Sequence, residues 1–120
     1  MPLLKTLPTF KDERGSLTVI EKDLGFKIER LFYIYDVSAV RGGHGHRRTQ
    51  MALIALNGTV EVSGQTPKDD FSFALTKPDQ ALILAPEDWH EMSFSKGSVL
   101  LALASEPYSK DDYFYDKYRR

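Results

Sequence analysis

Short apolar runs, broken by turn residues at intervals of about ten positions, leave this chain little room for anything but an all-β architecture. Residues 17–20, 30–35, 51–56, 59–63, 71–75, 81–85, 91–94 and 98–104 are each predicted strands. Asn57-Gly58, Ser63-Gly64, Lys77-Pro78-Asp79, Ala85-Pro86-Glu87-Asp88 and Ser95-Lys96-Gly97 supply the breaks. Asn57-Gly58 is the strongest hairpin signal, because both residue types tolerate positive φ. Strands at this spacing favour a β-sandwich or barrel over a helical bundle or a βαβ sheet. Only residues 109–118 have helical character, and they are too polar to be core. No repeat, linker or low-complexity tract interrupts the pattern.

A length of 120 residues suits one domain spanning 1–120, and 42% apolar content with seven Phe, six Tyr and one Trp supplies its core. Sixteen basic residues against seventeen acidic ones give a net charge of −1, which argues against a nucleic-acid or polybasic membrane partner. With no cysteine there is no disulfide framework and no thiolate metal site, as fits a reducing compartment. Met1-Pro2-Leu3-Leu4-Lys5 lacks the apolar core of a signal peptide, and no run approaches the ~20 residues of a membrane span. A soluble, cytoplasmic protein is expected.

Arg41-Gly42-Gly43-His44-Gly45-His46-Arg47-Arg48 is the unusual stretch. Its glycines mark a chain that bends or comes close to something else. His44 and His46 lie two positions apart, so an extended strand aims both imidazoles at one face. That spacing serves a metal, a substrate or a pair of surface histidines equally well. His90 follows Trp89 in the turn Pro86-Glu87-Asp88-Trp89, where a jelly roll would set a second group of site residues against the first.

His44-Gly45-His46, the following strand and Asn57-Gly58 resemble the first cupin motif, and Pro86 to His90 resembles the second. A metal-binding cupin offers a Glu a few residues beyond its second His, but this chain has Gln50 there. A neutral amide is a poor ligand for a divalent cation, so a metal-dependent cupin is disfavoured. A narrower resemblance runs in register from residue 10 to residue 118. Phe10 to Leu17, Arg30 to Asp36, Arg41 to His46, Trp89-His90, and Tyr108 through Asp112-Tyr113 are similar to the sugar-nucleotide 3,4-ketoisomerases, which act on dTDP-4-keto-6-deoxyhexoses. The resemblance implies an all-β cupin jelly roll (a double-stranded β-helix) with a short C-terminal extension. It also implies a homodimer with exchanged N-terminal strands, and catalysis without a metal or other cofactor.

Moving a ketone from C4 to C3 requires a base to take the C3 proton and return one to C4 through an enediol(ate). Histidine suits this step because its pKa of about 6.5 leaves both forms available near neutrality. The family pattern puts the base at His46, with His44 orienting the sugar or stabilising the enediolate oxygen. It assigns the oxygen-to-oxygen proton to Tyr33; one residue of slack between that strand and the histidines leaves Tyr35 as the alternative. Arg14, Arg30 and Arg41, each inside a family-like motif, are candidates for the diphosphate. Gln50, Trp89 and His90 are further candidates for the sugar. The paired carboxylates Asp69-Asp70 and Asp111-Asp112 read as solvated turns. The implied product is a dTDP-3-keto-6-deoxyhexose destined for amination to a 3-amino-3,6-dideoxyhexose of surface glycans, and Glu13-Arg14-Gly15 leans toward the gluco configuration. Competing readings are a dTDP-sugar 3,5-epimerase, whose greater length and His-Asp partnership are not evident here, and a non-catalytic sugar-binding cupin.

Overall fold

Residues 51–56 are apolar at every position, a pattern suited to a strand covered on both faces rather than one. The computed structural model, which describes residues 1–119, places them in such a strand. In chain order the strands are β1 (Leu3–Thr6), β2 (Thr9–Asp12), β3 (Gly15–Thr18), β4 (Arg30–Ile34), β5 (Arg41–His46) and β6 (Met51–Asn57). They continue with β7 (Val60–Gln65), β8 (Asp70–Leu75), β9 (Gln80–Leu84), β10 (Trp89–Phe94), β11 (Val99–Ala104) and, after a 3₁₀ turn at Lys110–Asp112, β12 (Tyr113–Phe114). Two five-stranded antiparallel sheets, ordered β1-β9-β6-β11-β4 and β12-β5-β10-β7-β8, form the jelly roll, while β2 and β3 make a two-stranded sheet of their own.

Met51, Leu53 and Ala55 of β6 point between the sheets and join Val60, Val62, Leu82, Leu84, Leu100 and Ala102 in the main core. Ala52 and Ile54 point the other way, under Leu7 and Leu24, with Ile20, Phe26 and Ile28 packed alongside. Residues 19–28 thus act as a cover on the outer face of the first sheet. Each fully buried Leu or Ile contributes about 1.5–3 kcal/mol. A one-residue slip of β6 would exchange its two apolar faces and misplace both clusters, so the register is firmly set.

Two expectations are corrected. Asn57-Gly58 is not a hairpin, because β6 and β7 belong to different sheets. Only Gly58 takes positive φ (72°), so the two-residue turn that requires it at both centres does not form, and the chain turns a corner between sheets instead. The tight hairpin is β7–β8, in register from Val60↔Leu75 to Gln65↔Asp70 and closed by a hydrogen bond from the Thr66 amide to the Asp69 carbonyl. Residues 109–118 are not helical beyond the single 3₁₀ turn; β12 joins the edge of β5. Among the described residues no helix is long and apolar enough to cross a membrane.

Candidate active site

The site forms where β5 pairs with β10. His44 pairs with His90, and a bulge between His90 and Glu91 brings Gly42 opposite Glu91. Gly42 has φ +93°, and a Cβ there would sit 2.9 Å from the His90 carbonyl oxygen, so only glycine permits this approach. This pairing gathers three imidazoles. Ring centroids are 5.2 Å apart for His44 and His46, 5.1 Å for His44 and His90, and 6.4 Å for His46 and His90. His44 and His90 line a cavity of about 160 Å³ between the sheets. Phe32, Ile34, Leu53 and Leu100 form its apolar wall, and Arg41, His44, His90 and Tyr113 its polar one. His46 sits behind this wall, 4% exposed, with its ring against Tyr113.

Burial controls the charge state of the cluster. Desolvation, then the neighbouring His44, pushes His46 down to about 4; a weaker pull from Asp112 opposes the shift and Arg30 adds to it. Desolvation together with His44 and His46 pushes His90 down to about 3. His44 is lowered as well, mainly by burial. All three are therefore neutral near pH 7, so each can accept a proton at one nitrogen and donate from the other. No group of three or more His, Asp and Glu among the described residues is arranged to hold a metal ion.

Arg30 borders the cluster, with its guanidinium 5.6 Å from the Phe32 ring centroid and 5.8 Å from that of Tyr108. Its Nε is buried and without a hydrogen-bond partner, as are His46 Nε2 and His90 Nδ1. An unpaired buried polar atom costs roughly 1–3 kcal/mol. Three in one cluster, with His90 on the cavity wall, mark a place built for something other than the protein itself.

Other expected site residues lie elsewhere. Tyr33 and Tyr35 stack on each other on the outer face of β4, with Tyr33 61% exposed, because Phe32 and Ile34 take the inward positions. Trp89 does not line this cavity. Strand alternation turns it away from His90, its indole N–H donates to the Tyr115 carbonyl, and the Lys117 ammonium lies over its ring. Gln50 is absent from the cavity lining; its amide and carbonyl are held by Ser105 at the start of β6. Arg14 stands at the tip of the β2–β3 hairpin, its side chain 86% exposed and paired with Asp12. Arg41 does reach the cavity.

The tail supplies what sequence reasoning assigned no role. Asp112, expected in a solvated turn, is buried and accepts hydrogen bonds from the Arg48 amide (2.6 Å) and the Thr49 hydroxyl. Burial pushes its carboxyl up, but these bonds outweigh it and hold the group below the usual carboxylate range. Anchored there, β12 pairs Tyr113 with His46, and the Tyr113 ring lies 4.5 Å from His46 and 4.9 Å from His44, centroid to centroid. Alternation of Tyr113 with Tyr115 was the available signal, but nothing local said that the tail returns to the histidines.

The sequence profile of the family described as "FdtA: WxcM-like, C-terminal" matches residues 2–119. The TDP-4-oxo-6-deoxy-alpha-D-glucose-3,4-oxoisomerase of Aneurinibacillus thermoaerophilus is 36% identical over 116 residues, covering 91% of this chain and 84% of the relative. A sugar 3,4-ketoisomerase from Thermoanaerobacterium thermosaccharolyticum, solved in complex with TDP, superposes with a TM-score of 0.91 at 38% identity, covering 96% of this chain and 88% of its own. The TDP-quinovose 3,4-ketoisomerase of Campylobacter jejuni also has a TM-score of 0.91, at 32% identity and 96% and 92% coverage. The profile match, these identities and the shared all-β cupin-like jelly roll agree: the chain belongs to the FdtA-like family of keto-sugar isomerases.

Proposed function

We propose that this protein is a sugar-nucleotide 3,4-ketoisomerase that converts dTDP-4-keto-6-deoxy-D-glucose to the dTDP-3-keto isomer. The observation that carries the reading is the cluster of buried, unpaired polar atoms on Arg30, His46 and His90, of which His90 lines the cavity. In this reading neutral His46 takes the C3 proton, the electron pair moves into an enediolate, and the imidazolium, its proton exchangeable with solvent, returns one to C4. Because burial destabilises that imidazolium, the proton is handed on rather than kept. His44 and His90 donate N–H bonds to the sugar oxygens as charge develops. Arg30 and Arg41 hold the diphosphate by charge-assisted hydrogen bonds, and no metal enters the chemistry. The gluco product, aminated downstream to a 3-amino-3,6-dideoxyhexose for surface glycans, is the proposed fate, in the cytoplasm.

The functional unit in this reading is a homodimer. β1 pairs with β9 of its own chain, so the N-terminal segment left to exchange is the β2–β3 hairpin. That hairpin exposes Phe10 and Leu17, and β4, at the edge of the first sheet, exposes Leu31 and Tyr33, with Tyr35 exposed just beyond it. A second copy would cover both apolar surfaces, and exchange would bring Arg14 to the cavity of the other subunit.

The test is incubation with dTDP-4-keto-6-deoxyglucose in deuterated water, followed by NMR at each sugar carbon. A 3-ketone with label at C4 is expected, unaffected by chelator and lost in His46→Asn. Exchange confined to C5 would indicate an epimerase, and binding without exchange a non-catalytic module. A dimer in sedimentation that falls to monomer when residues 9–18 are deleted would support the exchange.

A further inference from the structure

The isomerisation needs a second proton carrier. While His46 moves a proton between carbons, O3 must lose one and O4 must gain one. The oxygen-side carrier has to touch both oxygens and act as donor and acceptor in one step, which suits a hydroxyl better than an imidazole already engaged at carbon. The tyrosines of β4 are on the wrong face: Phe32 and Ile34 project into the cavity, and Tyr33 and Tyr35 project out.

Tyr113 is the tyrosine in the cavity wall. Its ring contacts both His44 and His46, and its hydroxyl makes no hydrogen bond to any described residue. The side chain is not loose. Pairing of Tyr113 with His46 and of Phe114 with Gly45 fixes the backbone, Asp112 is tied to Arg48 and Thr49 on one side, and the Tyr115 carbonyl is held by Trp89 on the other. A rigidly mounted ring with an unused hydroxyl, next to the proposed base, is an arrangement that packing alone does not require.

Resting on the ketoisomerase reading, we infer that Tyr113 is the catalytic residue that carries the proton between the two sugar oxygens. As His46 removes the C3 proton, the C3–H pair forms the C3–C4 double bond and the carbonyl π pair moves to O4, which takes the Tyr113 proton. The phenolate then takes the O3 proton, the O3–H pair closes the C3 carbonyl, and the enediol pair takes the proton from the His46 imidazolium at C4. Tyr113 and His46 both end as they began, and no oxidant, reductant or co-substrate is consumed.

Tyr113→Phe keeps the ring and removes the hydroxyl. The expected result is a drop in kcat of about 100-fold or more with KM within about threefold. Exchange of the C3 proton with solvent deuterium should then outlast net isomerisation, since carbon deprotonation is left to His46. Should the variant fold poorly, 3-fluorotyrosine at position 113 supplies the second measurement. Fluorine acidifies the phenol with little change in shape, so the alkaline limb of kcat should move to lower pH. Wild-type kcat in Tyr113→Phe, or an unmoved limb with fluorotyrosine, overturns the role of the hydroxyl while the ketoisomerase reading stands. A wild-type chain that never forms the 3-ketone overturns the ketoisomerase reading itself, and this inference with it.

Discussion

Asp112 and Thr49, 63 positions apart in the chain, are joined by a buried side-chain hydrogen bond that pins the C-terminal segment beside the histidines. The Arg47 amide adds a 2.7 Å bond to the Asp112 carbonyl. In Asp112→Ala the Arg48 amide and the Thr49 hydroxyl lose their partner, which costs roughly 1–3 kcal/mol. The larger effect falls on turnover, because Tyr113 is placed by this anchor. Limited proteolysis should cut within residues 109–119 well before the rest of the chain, and kcat should fall more than KM rises. Wild-type kcat in a variant whose tail is cleaved would show that the tail is dispensable.

Stability should weaken on mild acidification. An unfolded histidine titrates near 6.5, whereas His46 is held at about 4 and His90 at about 3. Above pH 6.5 neither state takes up these protons, and the pair contributes no pH dependence. Between about 6.5 and 4 the unfolded chain binds protons that the folded chain refuses, so stability is lost as pH falls. The slope reaches at most about 1.4 kcal/mol per pH unit for each histidine. Urea denaturation at pH 7 and pH 5 measures it, and His90→Asn should flatten the difference. Equal midpoints at the two pH values would contradict the burial of the cluster.

Gly42 and Gly43 make a matched pair of probes. Both have positive φ, +93° and +78°, so alanine at either carries a backbone cost of roughly 1–3 kcal/mol. Only at Gly42 does the added Cβ meet the His90 backbone; at Gly43 it meets open space. Gly42→Ala should therefore separate β5 from β10 and lose nearly all activity, while Gly43→Ala should show the backbone cost alone. Thermal melts paired with turnover would distinguish them.

Arg30 acts on the histidines and, in the proposed reading, on the substrate as well. After burial, its charge is one of the influences lowering His44 and His46. Arg30→Gln should move their titrations upward in histidine NMR spectra, and should raise KM by about tenfold or more through loss of a diphosphate contact. A change in KM with unmoved histidine titrations would place the guanidinium too far from the cluster.

The sandwich was legible because it depends on local signals. The two-faced apolar run at 51–56 and the turn residues between strands lie within a few positions of one another. Strand parity likewise put His44 and His46 on one face. What escaped depends on encounters across the chain. Parity says that Tyr33 and Phe32 face opposite ways, but only the finished sheet shows that Phe32 is the inward one. Trp89 sits beside His90 in sequence and on the other side of the strand in space. Asp112 reads as a solvated turn residue until the tail folds back on the Arg48 amide. The Asn57-Gly58 signal was real as a bend, yet turn chemistry alone does not say whether a bend stays within a sheet or leaves it.

The segment after β11 contributes no residue to either apolar core, which is drawn entirely from positions up to Ala104, yet it supplies Tyr113 to the cavity. The tail thus contributes to the site and not to the apolar cores. Substitutions in residues 108–115 other than Asp112 can therefore reshape the cavity wall without removing a residue from either apolar core. For an engineer, that separation makes the tail the first place to randomise.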